Sequence, residues 1–332
     1  MKLLKTLIAT TALVGAATFA NAQANPALIF DLGGKFDKSF NEMSYTGAER
    51  FREETGIEYR EFELQSDAQR EQALRRFAQA GNNPVVVAGF SNATAMATVA
   101  PDFPDTSFVI IDMVVDAPNV RSVVFAEQEG SYLVGVLAAM ASKSGTISFV
   151  GGMDIPLISA FECGYAQGAK ATNPDITVLA TMTGTDGSAW NNPVKGGELT
   201  MSQIESGSDV VFAAAGGTGR GVLQAATDAG IFAIGVDANQ NYMHPGNMLT
   251  SMVKRVDEAV FNAFNDVNNG EFTAGIQVMG LAEDGVGWAL DEHNEALITD
   301  EMRAAVEAAR VAIIAGDILV HDYRTDNTCP VE

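Results

Sequence analysis

Short apolar runs that stop at an aspartate or a glycine pair recur along this chain, and an amphipathic stretch follows most of them. The first is Pro26-Ala-Leu-Ile-Phe-Asp31, ahead of Gly33-Gly34; others cover 84–88, 146–150, 209–215 and 231–237. A strand covered on both faces reads as a continuous apolar run rather than an alternating one, so these are buried parallel strands. Parallel neighbours need crossovers, and helical stretches at 39–54, 66–80 (opened by a Ser66-Asp67 cap), 91–99, 130–142, 158–173, 195–205, 221–229, 255–268 and 300–315 supply them. Further strands are expected at 56–63, 107–112, 120–125, 177–182, 248–252 and 276–280. The pattern restarts at Thr146 with no linker rich in Pro, Ser or charge. The expected fold is α/β, two doubly wound parallel-sheet lobes with a hinge and an inter-lobe cleft. Ligands of such sheets bind beyond the carboxyl ends of the strands.

The 332 residues suit two domains, and the chain opens with what reads as a leader. Lys2 and Lys5 precede an apolar stretch, 6–19, and then Ala20-Asn21-Ala22, the three parts of a signal peptide over 1–22. Ala22-Gln23-Ala24 offers a second cut two residues on. No cysteine lies near either cut, so the expectation is a soluble periplasmic protein, exported by a cleaved leader and not lipid-anchored. In an oxidising compartment Cys163 and Cys329 can pair, and the sequence leaves open both a bridge and two separate thiols.

Charge removes several functions. Acidic residues outnumber basic ones 42 to 20, for a net charge of −22. Loss of Lys2 and Lys5 with the leader takes this to −24. A nucleic-acid partner would need clustered Lys and Arg against its phosphates, and anionic membranes repel such a body. Three histidines and two cysteines are little material for a metal centre. Gly217-Thr-Gly219-Arg-Gly221-Val222 follows a strand but carries valine where a dinucleotide fingerprint needs its third glycine, and it lacks the ending of a P-loop. No G-x-S-x-G elbow occurs, and His244 and His293 have no evident nucleophile partner. The expectation is a binding protein rather than an enzyme, with no catalytic residue, metal or cofactor.

Asp31-Leu-Gly-Gly-Lys-Phe-Asp-Lys-Ser-Phe-Asn41 resembles the opening motif of the basic membrane protein family, the nucleoside-binding substrate-binding proteins of ABC transporters. The likeness continues through Glu127–Gly135, Gly151–Pro156, Phe161–Tyr165, Ala213–Gly219, Gly235–Asp237 and Ser251–Lys254, and so spans nearly the whole mature chain in order. It implies a type I periplasmic-binding-protein fold. The lobes would be 23–143 with 253–276, and 144–252 with 277–332. It also implies a monomer that captures a nucleoside, a purine one in particular, and delivers it to a permease. Many relatives are lipoproteins; the missing lipidation cysteine makes this chain resemble a free soluble version.

The resemblance also suggests ligand contacts. Asp31 would accept hydrogen bonds from the base, Phe40 would stack on it with Asn41 adjacent, and Asp112 would supply a second acidic contact. Asp237 and Lys254 would hold the ribose hydroxyls beside Gly217, and Trp190 would be the second stacking aromatic, although Asn192 stands where relatives often carry aspartate. The chemistry is coherent without the family. Base–aromatic stacking is worth ~1–3 kcal/mol per base. A buried carboxylate accepts strongly from N–H and hydroxyl donors. Several carboxylates together disfavour phosphate, hence nucleosides over nucleotides. Each residue also has a plainer role open to it: Phe40 in the core, Asp31 and Asp112 as helix caps, Asp237 in a turn, Lys254 as a solvated charge. The opposing functions are an exported nucleoside-processing enzyme and a same-fold binder of a sugar or another aromatic metabolite.

Overall fold

The structure, a computed structural model, describes residues 24–331. Six strands make the first sheet: β1 (Ala27–Phe30), β2 (Arg60–Glu63), β3 (Val85–Val87), β4 (Phe108–Ile111), β5 (Val120–Phe125) and, returning late in the chain, β11 (Gly275–Met279). Their order is β11-β5-β4-β3-β1-β2, all parallel. The second sheet repeats the plan with β6 (Thr146–Met153), β7 (Thr177–Gly184), β8 (Val210–Ala214), β9 (Phe232–Asp237), β10 (Met248–Lys254) and β12 (Val286–Trp288), in the order β12-β10-β9-β8-β6-β7. All are parallel except β12, which runs antiparallel on β10.

Period-two side-chain placement explains the layers. Leu28 and Phe30 of β1 join one core with Ala48 and Phe51 of α1 (Phe40–Thr55) and Val260 and Phe264 of α8 (Val256–Asn269). Ala27 and Ile29 join the opposite core, with Leu74 and Phe77 of α2 (Arg70–Gln79) and Met96 and Val99 of α3 (Ala93–Val99). Full burial of a side chain such as Phe51 is worth ~1.5–3 kcal/mol. In the second sheet, Phe149 and Phe212 face Phe161 and Tyr165 of α5 (Pro156–Thr172), while Val211 and Ala213 face Val222 and Leu223 of α7 (Gly219–Asp228) beside α6 (Pro193–Glu205). Among the described residues, no helix is long and apolar enough to cross a membrane.

Two details differ from expectation. Helix α4 (Glu127–Ala141), expected within the first lobe, packs instead on α5, β10, β12 and the last helix, α9 (Asp300–Ala315). Its contact with α5 is backbone on backbone: a methyl group at Gly135, Gly164 or Gly168 would lie within 2.4 Å of a carbonyl oxygen of the facing helix. The chain therefore passes to the second sheet at 125–127, returns at 254–256 and passes again at 279–286. Backbone bonds tie these passages together, Ala126 N–H donating to Met279 O at 3.1 Å and Arg255 N–H to Gly285 O at 2.8 Å. The second difference is β12, which has no counterpart among the expected strands; three residues containing a glycine carry too little apolar pattern to read.

Cys163 on α5 and Cys329 in the C-terminal segment are bonded, with Cα atoms 5.6 Å apart. This resolves the choice the sequence left open.

Candidate functional site

The carboxyl ends of β1, β4, β9 and β10 converge on one cavity between the sheets, enclosing about 590 Å³ of atom-free space that includes its open mouth. Asp31, Phe40, Asn41, Asp112, Trp190, Asp237 and Lys254 all line it. Gly217 does not; its neighbour Gly216, with φ +54°, takes the place on the wall, and Gly217 lies behind against the Trp190 carbonyl.

Asp31 directly follows β1 and is buried with Arg70, whose Nη1 donates to Oδ1 at 2.7 Å. Its own corner is closed locally: Leu32 N–H donates to Oδ1 at 2.8 Å, and the Asn41 amide clamps the Asp31 backbone through 3.0 and 3.3 Å bonds. Asn41 thus spends its side chain shaping the end of β1, although it was expected to serve the ligand. Burial raises the Asp31 carboxyl, and the Arg70 cation opposes that. Gly89, at φ +96°, is required here: a methyl group would stand 2.0 Å from Asp31 Oδ2. Neither Asp31 nor Asp112 caps a helix. That task belongs to Asp37, which accepts from the N–H groups of Ser39, Asn41 and Glu42 at 2.8–3.1 Å. Burial pushes Asp37 up to about 6 even against these bonds.

Lys254, at the end of β10, is 2% exposed and far from a solvated charge. Its Nζ lies 2.7 Å from Asp112 Oδ1 and 2.9 Å from Glu127 Oε1, and the rings of Phe40, Phe125 and Phe161 surround it at 4.9–5.5 Å. Burial pulls the ammonium down, and Asp112, Glu127 and Asp237 together outweigh it, so its pKa is raised. Asp112 and Asp237 are both pushed up to about 6, by burial first, with Lys254 opposing. Both hold left-handed backbone angles, φ +72° and +62°, which few residues besides glycine, Asn and Asp adopt. Asp237 accepts a short hydrogen bond from the Ser39 hydroxyl of the opposite lobe. Nearby, Gln240 Nε2 donates to Lys38 O at 2.7 Å, also across the cleft.

Trp190 sits in the turn before α6, its ring close against Gly152, where a methyl group would stand 2.1 Å from the indole. Phe90 and Phe161 complete the aromatic wall with Phe40. Phe161 is buried and also lines the cavity. Asp37, Arg70 and Glu127 were not anticipated. The signal for Asp37 was present, since an aspartate two residues before Ser39 is a cap position; Arg70 and Glu127 lie on helices, where a charge ordinarily reads as solvated.

The chain as a whole has counterparts among known proteins. The Bmp family, described as ABC transporter substrate-binding protein PnrA-like, matches residues 25–321. The chain belongs to the Bmp family. A relative from Lactococcus lactis subsp. cremoris, named ABC transporter nucleoside-binding protein BmpA, is 32% identical over 89% of this chain and 88% of its own. An uncharacterized lipoprotein of Pyrococcus abyssi is 36% identical over 80% of this chain and 69% of its own. Among solved structures, an ABC transporter solute-binding protein from Aeropyrum pernix K1 superposes with a TM-score of 0.83 at 30% identity, covering 90% of this chain and 93% of that one. The fold is that of type I periplasmic-binding proteins, and this Bmp protein is a substrate-binding protein of an ABC transporter, a class that binds small molecules and works with permeases.

One expectation is overturned by these relatives. The leader and the absence of a nearby cysteine implied a free periplasmic protein without a lipid anchor, whereas the P. abyssi protein and two others from Pyrococcus are lipoproteins by name. A cleavage motif read from composition does not determine how a mature N-terminus is held, and residues 1–23, on which that expectation rested, lie outside the described residues.

Proposed function

We propose that this Bmp protein captures a nucleoside in the cleft, a purine nucleoside in particular, and delivers it to the permease of its transporter. The observation that carries the reading is the pairing, in one cavity, of aromatic rings from both lobes with buried carboxylates and a buried lysine. A nucleoside offers the complement: a π-face for Phe40 and Trp190, N–H donors for Asp31, and a vicinal diol for Asp237 and Lys254. A purine presents the larger face to the rings, and stacking is worth ~1–3 kcal/mol per base. Phosphate would meet Asp31, Asp37, Asp112 and Asp237, so nucleotides are rejected. The BmpA name of the L. lactis relative supports the same ligand class.

The units that close on the ligand are 24–125 with 255–279 and 127–254 with 286–329, bending at the three passages between the sheets. The cleft is complete within one chain, which supports action as a monomer. No residue of the cavity is asked to break a bond; the site binds and releases.

Titration calorimetry with inosine, adenosine, guanosine and uridine tests this, with AMP and ribose as controls and chromatography for free base. The expected result is heat with at least one purine nucleoside, none with AMP, and no base released. Release of base would make the protein an enzyme; binding of sugars alone would make it a sugar carrier.

A further inference from the structure

The C-terminal segment does not trail away after α9 but returns across α5 to the first passage between the lobes. Two ties hold it there. Cys329 is bonded to Cys163, and one turn along α5 the Gln167 amide accepts from His321 N–H and donates to His321 O, both at 2.9 Å. Between these ties the strap makes a tight turn at Tyr323–Thr325, where Asp322 grips Arg324 through bonds of 2.9–3.1 Å. Arg324 then reaches inward. Its Nη2 donates to Phe125 O at 3.0 Å, and its Nη1 stands 2.9 Å from Glu127 Oε2.

Glu127 is fully buried, and its other oxygen lies 2.9 Å from Lys254 Nζ. Cations and carboxylates therefore alternate from the strap to the cavity: Arg324, Glu127, Lys254, Asp112. Lys254 lines the cavity and Glu127 does not. With Arg324 in place, Glu127 has a cation of its own on the side away from the cleft. Without it, one ammonium would serve two buried carboxylates, and Glu127 would compete with Asp112 and the ligand for it.

We propose that Arg324, held by the Cys163–Cys329 strap, is a positioning residue for the ligand cavity, neutralising Glu127 so that Lys254 remains available to Asp112 and to the ligand. Loss of the guanidinium also has an electrostatic signature. The charged groups facing Asp112 are Lys254, Glu127 and Asp237, with Arg324 behind Glu127. Asp112 is already pushed up to about 6 by burial, and removing a nearby cation leaves it protonated to higher pH still.

The proposal rests on the nucleoside reading only for its probe. Calorimetry on the full-length, oxidised protein with the same four nucleosides compares wild type, Arg324→Met, Arg324→Lys and Cys163→Ser/Cys329→Ser, alone and combined with Arg324→Met. Arg324→Met is expected to weaken the tightest nucleoside about tenfold, the scale of a lost charged hydrogen bond. The acid limb of its binding profile should move to higher pH, and Arg324→Lys should recover most of both. Loss of the disulfide should weaken binding in the Arg324 protein but add nothing in the Arg324→Met background. If Arg324→Met fails to fold, Arg324→Gln, which keeps a donor for Phe125 O, carries the same expectation. Wild-type affinity with an unmoved pH profile would overturn the proposal, as would a disulfide effect of equal size in both backgrounds. If wild type binds none of the four, the nucleoside reading falls and the strap is judged on ligand-free melts at about pH 7.5 and 5. Arg324→Met should then gain more on acidification than wild type, and equal gains would overturn the proposal.

Discussion

Asp31 follows β1 in the first lobe, Asp237 closes β9 in the second, and both reach the same cavity. Their partners differ in origin. Arg70, Leu32 and Asn41, which fix Asp31, all belong to its own lobe. The hydroxyl that bonds Asp237 comes from Ser39 of the other lobe, and the ammonium that meets Asp112 arrives on β10. One corner of the site is thus made when the first lobe folds, while the other is completed only when the lobes meet. A cleft built this way offers a rigid half to dock on and a responsive half to close.

The comparison can be broken in several places. Lys254→Met should have the largest effect, since it leaves Asp112 buried without a cation and Glu127 with Arg324 alone; removing one partner of a buried pair costs ~3–5 kcal/mol. Urea unfolding measures this, and a loss well below that range would mean the carboxylates relax into solvent. Arg70→Met and Ser39→Ala then separate the two corners. Arg70→Met should destabilise the ligand-free protein by about 3 kcal/mol, leaving Asp31 buried without its cation. Ser39→Ala should cost about 1 kcal/mol or less in stability and show itself mainly as weaker ligand binding. Equal losses of stability would erase the distinction. Phe40→Ala should weaken nucleoside binding by ~1–3 kcal/mol while leaving the fold intact, because Phe40 is only partly buried. Unchanged affinity would return Phe40 to the core.

The smallest effect expected is on pH. Asp37, Asp112 and Asp237 stand at about 6 in the folded protein against 3.8 ordinarily, so the folded state holds their protons more tightly. Stability should therefore rise as pH falls from above 6 towards 4, by a few degrees in melting temperature. About a third of that gain should vanish in Asp112→Asn, which removes one of the three groups. A melting temperature that drops over this window would show that paired surface carboxylates, not the cleft, set the response.

Much of the fold was legible because apolar runs closed by aspartate or glycine mark buried parallel strands wherever they occur. Strand β5 and helix α9 lie where the pattern puts them, at 120–125 and 300–315. What the pattern could not say is where an element packs. Helix α4 is buried on almost every side from Gly130 to Ala139, so it has no polar face to show which sheet it serves. The site divides similarly. Residues at strand ends and in the opening motif could be named in advance, whereas Arg70, Glu127 and Arg324 act through pairings across 39 to 197 positions of sequence, which no local pattern encodes. Asn41 shows the opposite limit: it lines the cavity, but its amide is engaged by the backbone of Asp31.

The glycine seam between α4 and α5 has a mechanical consequence. Two helices in backbone contact cannot slide or roll without collision, so α4 moves as one body with the sheet it covers. Its first residue, Glu127, is therefore the end of a stiff lever, and the fulcrum is confined to the one or two residues before it. Any rotation of the lobes must be spent over that short span, beside the strap's arginine, which makes the first passage a place where a single side chain can change how far the jaws open.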